Sequence, residues 1–394
     1  LTIELLNKPD LALVTRNAKI CYNKHSTELD PKLLEKLYSS KHLSTFEHVV
    51  LNLKISDVSR YLSMLLKMQK NYSASEMSQR YVDLSKDFNA LDYDKHKEHY
   101  EAIVGYYNDL ATRYPKEVAR YILPISTYTT FAFTINLTTA LRYIAMAVNS
   151  DYRELREFGL ELENILSTMP ELNSIVDKVK HEMMLDIHKE FSNSDRTNKP
   201  MQLDYEDVTD LSNGHYEDLN LRSLMYADLQ SDYGFRTTYD MSIATYLQNQ
   251  RHRTSKFHIA FNYGNRKYYI PKELELTDIA LYKTVIEYQY SYARKHNDIT
   301  LLPNAHNLSV TETVTYNDFR HKARERLCRT AQREIRYITA EQTKLLTSKG
   351  ANTLFMPPCV ELGKCNKGSF YCGEPVWKLA TDINELVKLY KEIN

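Results

Sequence analysis

Residues 68–81 read MQKNYSASEMSQRY, and residues 248–264 read QNQRHRTSKFHIAFNYG. Both are approached in the same way. Ahead of the first, residues 49–56 (VVLNLKIS) alternate apolar Val49, Leu51, Leu53 and Ile55 with polar Asn52, Lys54 and Ser56, the period of a half-buried strand. Asp57 follows as the expected helix cap, since an Asp side chain satisfies first-turn amides. Tyr61, Met64, Leu65 and Met68 then recur at helical spacing. Ahead of the second, Asp240 precedes Ile243, Tyr246 and Leu247 at the same spacing. Strand, cap and helix in the same order imply one local design used twice.

Working outward, helical periodicity covers about 31–40, 98–112, 153–167, 175–190, 273–295, 318–346 and 383–390, with short alternating strands between. The fold class is α+β. Residues 191–217 carry NSDRTNKP, a run of acids and NGH without apolar periodicity, which predicts a linker. The expected organisation is a first half over 1–192, a linker over 193–217 and a second half over 218–394.

The chain's 394 residues are roughly twice the size at which single domains cluster. Hydrophobic residues at 43% and charged residues at 26% fit a globular protein. Lys+Arg and Asp+Glu cancel at 51 each, so no general field attracts a nucleic acid. No apolar run approaches a membrane span, and residues 1–10 lack a signal-peptide layout, which places the chain in a cytoplasm. The 31 tyrosines against nine glycines, with many Lys, Asn and Ile, suit an AT-rich genome such as a phage's.

Two motifs carry a resemblance: RHR at 251–253 and SASEMSQRY at 73–81. Together they resemble the signature of flavin-dependent thymidylate synthases, RHR followed at fixed spacing by Ser, Asn-Glu, Ser and Arg-Tyr. The first half keeps the tail of that signature, with Ser75 in the Asn position and Met68-Gln69-Lys70 in place of RHR. The second half keeps RHR, while its tail has become Lys256, His258-Ile259, Phe261 and Tyr263-Gly264. Further stretches are similar to the family: ALVTRNAKICY (12–22), HLSTFEH (42–48, with Thr45 replacing the usual Pro), ARYILP (119–124), FTINLTTALRYI (133–144) and RLCRTAQREI (326–335). Aligning Arg251 on Met68 gives an offset of 183 (251 − 68), and Pro303 on Pro124 gives 179 (303 − 124). Two anchors that agree this closely imply two tandem, diverged synthase-like domains forming a pseudo-dimer.

The resemblance implies FAD-dependent reductive methylation of dUMP to dTMP, with methylenetetrahydrofolate as carbon donor and NADPH as reductant. It also implies a homodimer that imitates the family's homotetramer, whose sites draw on more than one subunit. A fused pair needs to keep only one side of a shared site in each half, and the two halves have decayed in complementary fashion. Glu76, Ser78, Gln79 and Arg80 are assigned to the nucleotide, Arg80 and Ser78 as phosphate donors. Gln248 and Arg251 join them from the second half. His252 and Arg253, with Arg251, suit the flavin, and His42, Ser44 and Glu47 meet it from the first half. Arg326 is assigned to the pyrimidine ring, where a fixed cation favours the N3-ionised form and raises electron density at C5. Arg120 and Asn136 match family ligands but lie in the half without RHR, so that both a ligand role and a packing remnant stay open for them.

Cys21 and Cys328 stand alone in amphipathic stretches, and Cys359, Cys365 and Cys372 fall at spacings of six and seven, unlike a zinc motif, so no metal is expected. Two other functions fit the altered signature: an enzyme that makes a C5-hydroxymethylated or otherwise modified pyrimidine nucleotide, and a non-catalytic nucleotide-binding paralogue.

Overall fold

The computed structural model describes residues 1–182 (without 70), 184, 188–189, 202–206, 234–347 (without 265), 356–368, 371–373, 385–386 and 388. The chain divides into two units, Leu1–Ser192 with Gln289–Leu302, and Asn193–Tyr288 with Pro303–Asn394.

The first unit is built on four antiparallel strands, β1 (Thr2–Leu5), β2 (Val50–Ser59), β3 (Tyr72–Glu76) and β4 (Tyr128–Asn136), in the order β1-β2-β4-β3. Alternation decides which face is covered: Leu51, Leu53 and Ile55 of β2 and Phe131, Phe133 and Ile135 of β4 are buried. The strand runs on to Ser59 because a bulge between Ile55 and Val58, with Asp57 at φ 56°, resets the phase and turns Val58 inward. Asp57 is therefore not the helix cap expected from the sequence. That role falls to Ser59, whose Oγ accepts from the Leu62 amide at the start of the next helix.

Eight α-helices of this unit are α1 (Ala12–Ile20), α2 (Pro31–Ser39), α3 (Arg60–Leu66), α4 (Lys97–Arg113), α5 (Lys116–Ala119), α6 (Leu137–Val148), α7 (Arg153–Ser167) and α8 (Asn173–Lys180). Helices α6 and α7 pack closely: a Cβ added to Gly159 would lie 2.2 Å from that of Ala147, so only glycine permits the approach. The helix expected over 175–190 ends at Lys180.

The second unit repeats the sheet with β5 (Gln202–Glu206), β6 (Gly234–Ser242), β7 (Lys256–Ala260) and β8 (Asn307–Thr315), ordered β5-β6-β8-β7. Strand β5 lies inside the segment expected to be linker, where four of its five residues pair with β6 around an irregularity between Leu203 and Tyr205; the rest of that segment lies outside the described residues. Helices α9 (Ile243–Asn249), α10 (Leu276–His296), α11 (Tyr316–Arg326), α12 (Arg333–Thr347) and α13 (Pro358–Leu362) follow. From Gln289 onward α10 belongs to the first unit, where the Ile125 and Ser126 amides donate to Leu302 O and Thr300 O. The single helix expected over 318–346 is two, α11 and α12. Buried Phe319, Ala323, Leu327, Ala331 and Ile335 continue the four-residue period through the break, so the period could not reveal it. Of the helix expected over 383–390 only residues 385, 386 and 388 are described, and the rest lies outside the described residues. Among the described residues no helix is long and apolar enough to cross a membrane.

The helix entering each motif is anchored by one device in both units. Arg60 and Tyr61 amides donate to Thr127 O and Ile125 O; Ile243 and Ala244 amides donate to His306 O and Asn304 O. A buried carboxylate completes each start. Glu154 accepts from the Ser59 amide at 2.6 Å and from Ser59 Oγ. Glu334 accepts from the Ser242 amide at 2.7 Å and from Ser242 Oγ and Thr245 Oγ1, both at 2.6 Å. These bonds satisfy polar groups that burial would otherwise leave unpaired.

Candidate functional site

In the first unit β3 delivers Glu76 into a nest of cations. Its carboxylate lies 2.6 Å from Lys67 Nζ and 3.6 Å from Arg60 Nη1, and Ser63 Oγ donates to it at 2.9 Å. Burial opposes ionisation, but Lys67 and Arg60 outweigh it and hold the carboxyl down at about 2. Glu76 thus fixes the start of the turn from inside. Arg60 also donates to Met77 O at 2.6 Å, clamping the backbone just before Ser78. The Arg80 amide donates to Ser78 Oγ at 3.3 Å, Gln79 is buried, and Arg80 Nε donates to Glu117 Oε2 at 2.8 Å from α5.

Arg120 lies buried close by. Burial, with Arg60 and Arg80 nearby, pulls its guanidinium down to about 10. Three guanidiniums gathered at one turn suit an anion of more than one charge. Neither Arg60 nor Lys67 lies in a sequence motif, so motif reading misses them. Asn136, the other family match, caps α6 by accepting from the Thr139 amide at 2.8 Å.

His42, Ser44 and Glu47 lie elsewhere in this unit. The 3₁₀ segment Leu43–His48 packs on α1, α6 and β4 through buried Phe46, leaving those three side chains exposed. His42 lines a cleft of about 400 Å³ with residues of α1 and α2.

In the second unit α9 ends on the RHR turn, and α11 brings Arg326 back onto it. Arg326 Nε donates to His252 Nε2 at 2.8 Å, and its Nη2 donates to Gln248 O at 3.1 Å. Burial and then the Arg326 charge push His252 well below the ordinary imidazole value, so the ring is neutral and accepts from the guanidinium. Gln248 is buried and its Nε2 donates to Gln332, while its Oε1 is buried with no partner among the described residues. Arg251 and Arg253 are exposed on either side of His252. The structure therefore gathers Gln248, His252 and Arg326 into direct contact and sets Arg251 and Arg253 at their rim.

A buried network that the sequence did not reveal supports this cluster. Glu312 and Lys322, both wholly buried, pair at 2.6 Å. Glu312 also accepts from Ser255 just beyond RHR (2.8 Å), Tyr239 (2.6 Å) and Gln342 (3.0 Å). Lys322 stands one helical turn before Arg326, so RHR turn and arginine hang from one polar core. The signal missed for the helix anchors is the Arg-Glu pair shared by 153–154 and 333–334.

Cys328 does not stand alone. It lies near Cys359 and Cys372, and burial, together with the Cys328, Cys365 and Cys372 thiols, pushes Cys359 up to about 11. Among the described residues no group of three His, Cys, Asp or Glu is spaced to hold a metal ion.

The chain is 25% identical over 167 residues to the flavin-dependent thymidylate synthase of Pseudothermotoga lettingae, covering 36% of this chain and 72% of the relative. It is 25% identical over 174 residues to the enzyme of that name from Thermotoga neapolitana, covering 40% and 80%. Among solved structures, thymidylate synthase X from Helicobacter pylori with FAD and dUMP aligns at 17% identity and a TM-score of 0.40, covering 46% of this chain and all of that one. The UMP/dUMP methylase PolB from Streptomyces cacaoi, bound with 5-Br dUMP, aligns at 19% identity and a TM-score of 0.37, covering 45% and 93%. The family model described as thymidylate synthase complementing protein matches residues 4–170 and again 232–349, more than half of the chain, and the chain belongs to that family.

Proposed function

We propose that this protein catalyses the reductive methylation of dUMP to dTMP, using FAD, methylenetetrahydrofolate as carbon donor and NADPH as reductant. The observation that carries the reading is the contact set of the second unit: Arg326 bonded to neutral His252 and to Gln248 O, beside a buried Gln248 Oε1 that has no partner among the described residues. Such an arrangement suits a planar ring that offers one N–H and gains negative charge as it reacts. Arg326, held at two points, is a preorganised cation for the uracil edge. Arg80, Ser78 and the Gln79 amide, with Arg120 behind them, are suited to the phosphate; Arg251 offers a further exposed guanidinium.

The residues present fit a flavin. Exposed Arg251 and Arg253 flank His252, and Asn249 Oδ1, wholly buried at the end of α9, has no partner among the described residues. These side chains, with His42, Ser44 and Glu47, would hold it. When bound, FAD supplies hydride chemistry that no side chain offers.

Common descent of the two units from one module accounts for their shared strand order and helix anchors, and for the different signature residues each retains. A homodimer would then present as many modules as the family's tetramer. Light scattering that finds a monomer with full turnover overturns the dimer.

The activity is tested by anaerobic turnover with dUMP and the three co-reactants, the product being read by mass spectrometry. Arg80→Ala and Arg251→Ala should each lower turnover by at least about a hundredfold. A hydroxymethylated product, or dUMP left unchanged by flavin-loaded protein, overturns the assignment.

A further inference from the structure

The cleft beside His42 has a construction of its own. Its floor is Ala18, Leu33 and Leu37, and Lys19, Tyr22, Lys24, Lys36, Ser40 and His42 complete the lining, with no carboxylate among them. Two helix ends shape it in the same manner. After α1 the chain turns through Asn23 at φ 52°, and the Lys24 amide donates back to Lys19 O at 3.1 Å. After α2 it turns through Lys41 at φ 58°, and the His42 amide donates back to Leu37 O at 2.9 Å. Each is a left-handed helix cap of the kind glycine normally supplies. Here Asn and Lys adopt it, a conformation that residues bearing a Cβ take up less readily than glycine. The residue immediately after each cap, Lys24 and His42, lines the cleft.

Charge narrows the ligand. Lys19 is paired with Asp30 at 3.3 Å, an acid that also caps α2 by accepting from the Leu33 amide. Lys24 and Lys36 make no ion pair among the described residues. Two uncompensated ammonium groups over an apolar floor, with an exposed tyrosine ring at the rim, match a ligand with an aromatic body and at least two negative charges.

We propose that this cleft between α1 and α2 binds the polyanionic portion of such an aromatic co-substrate, with Lys24 and Lys36 as the anion-binding residues and Tyr22 as the ring contact. Two sources share this chemistry, a dinucleotide diphosphate and the oligoglutamate tail of a reduced folate. The proposal deepens the reading of the protein as a flavin- and folate-using enzyme, and it is tested by binding rather than turnover.

The full-length protein is titrated with FAD, tetrahydrofolate monoglutamate and tetrahydrofolate pentaglutamate by calorimetry, in parallel with Lys24→Ala/Lys36→Ala and Tyr22→Ala. Exposed charge pairs of this kind lose about threefold to fivefold in affinity per lysine. The double variant should therefore weaken one ligand about tenfold or more, and the difference should shrink at high salt. A loss confined to the pentaglutamate identifies the folate tail; a loss for FAD identifies the diphosphate. Equal affinities of wild type and double variant for all three ligands overturn the proposal, as does a wild type that binds none of them. Retained turnover with unchanged affinities would leave the activity standing and remove only this site; lysine-dependent binding without dTMP formation would do the reverse.

Discussion

Replacing Lys322 by Met tests the polar core beneath the RHR turn. Lys322 Nζ and Glu312 Oε2 lie 2.6 Å apart and neither side chain is exposed to solvent. Met fills similar volume but leaves the Glu312 carboxylate buried without its cation. Removing one member of a buried pair costs about 3–5 kcal/mol. Tyr239, Ser255 and Gln342 remain as neutral donors, which places the loss near the lower end, about 3 kcal/mol. At roughly 2–4 °C per kcal/mol for a unit of this size, the melting temperature should fall by about 6–12 °C. Calorimetric melting of the full-length chain at neutral pH reads this directly. A double variant, Lys322→Met with Glu312→Gln, leaves no buried charge and should recover more than half of the fall. A single variant that melts within about 2 °C of wild type, or a double variant no better than the single, refutes the reasoning.

Other outcomes follow from the same geometry. Glu334→Gln exchanges charge-assisted bonds to Ser242 and Thr245 for neutral ones and should cost about 1.5–3 kcal/mol in chemical denaturation. It should also weaken dUMP binding, because Gln248 and Arg251 hang from the helix it anchors. Glu76, whose folded value near 2 lies below its ordinary 4.5, contributes stability that is fully present above pH 4.5 and is lost as pH falls toward 2. Melting profiles of wild type and Glu76→Gln should therefore converge on acidification; a constant gap contradicts the ion pair. Arg326→Ala removes a charge that depresses His252, so the imidazole should titrate closer to 6.5 in NMR, while an unmoved resonance shows that burial alone sets it.

The periodic parts of the fold were legible. Residues 153–167 read as a helix, as Arg153–Ser167 is, and the alternation of Leu51, Leu53 and Ile55 revealed β2. Local signals misled where two residues competed for one role. Asp57 and Ser59 both suit a helix cap, and only the bulge, invisible in the alternation, decides between them. The break between α11 and α12 keeps an unbroken apolar period, yet it ends α11 at Arg326, which reaches His252. Arg326, His252 and Gln248 stand out in the sequence through the family resemblance, and the structure brings them into contact. Arg60, Lys67, Lys322 and Glu312 were not legible, since a buried ion pair depends on partners brought together by the sheet, and a lone charge in a strand or helix looks like a solvated one. The two caps that frame the α1–α2 cleft escaped for a related reason: Asn23 and Lys41 stand where sequence reading looks for glycine.

The most direct test of the account is the mass of the nucleotide formed from dUMP in anaerobic turnover by wild type, Arg80→Ala and Arg326→Ala. The account predicts a wild-type product heavier by one CH₂ and no such product from either variant. A product bearing a hydroxymethyl group, or a methylated product from Arg326→Ala at the wild-type rate, would contradict it.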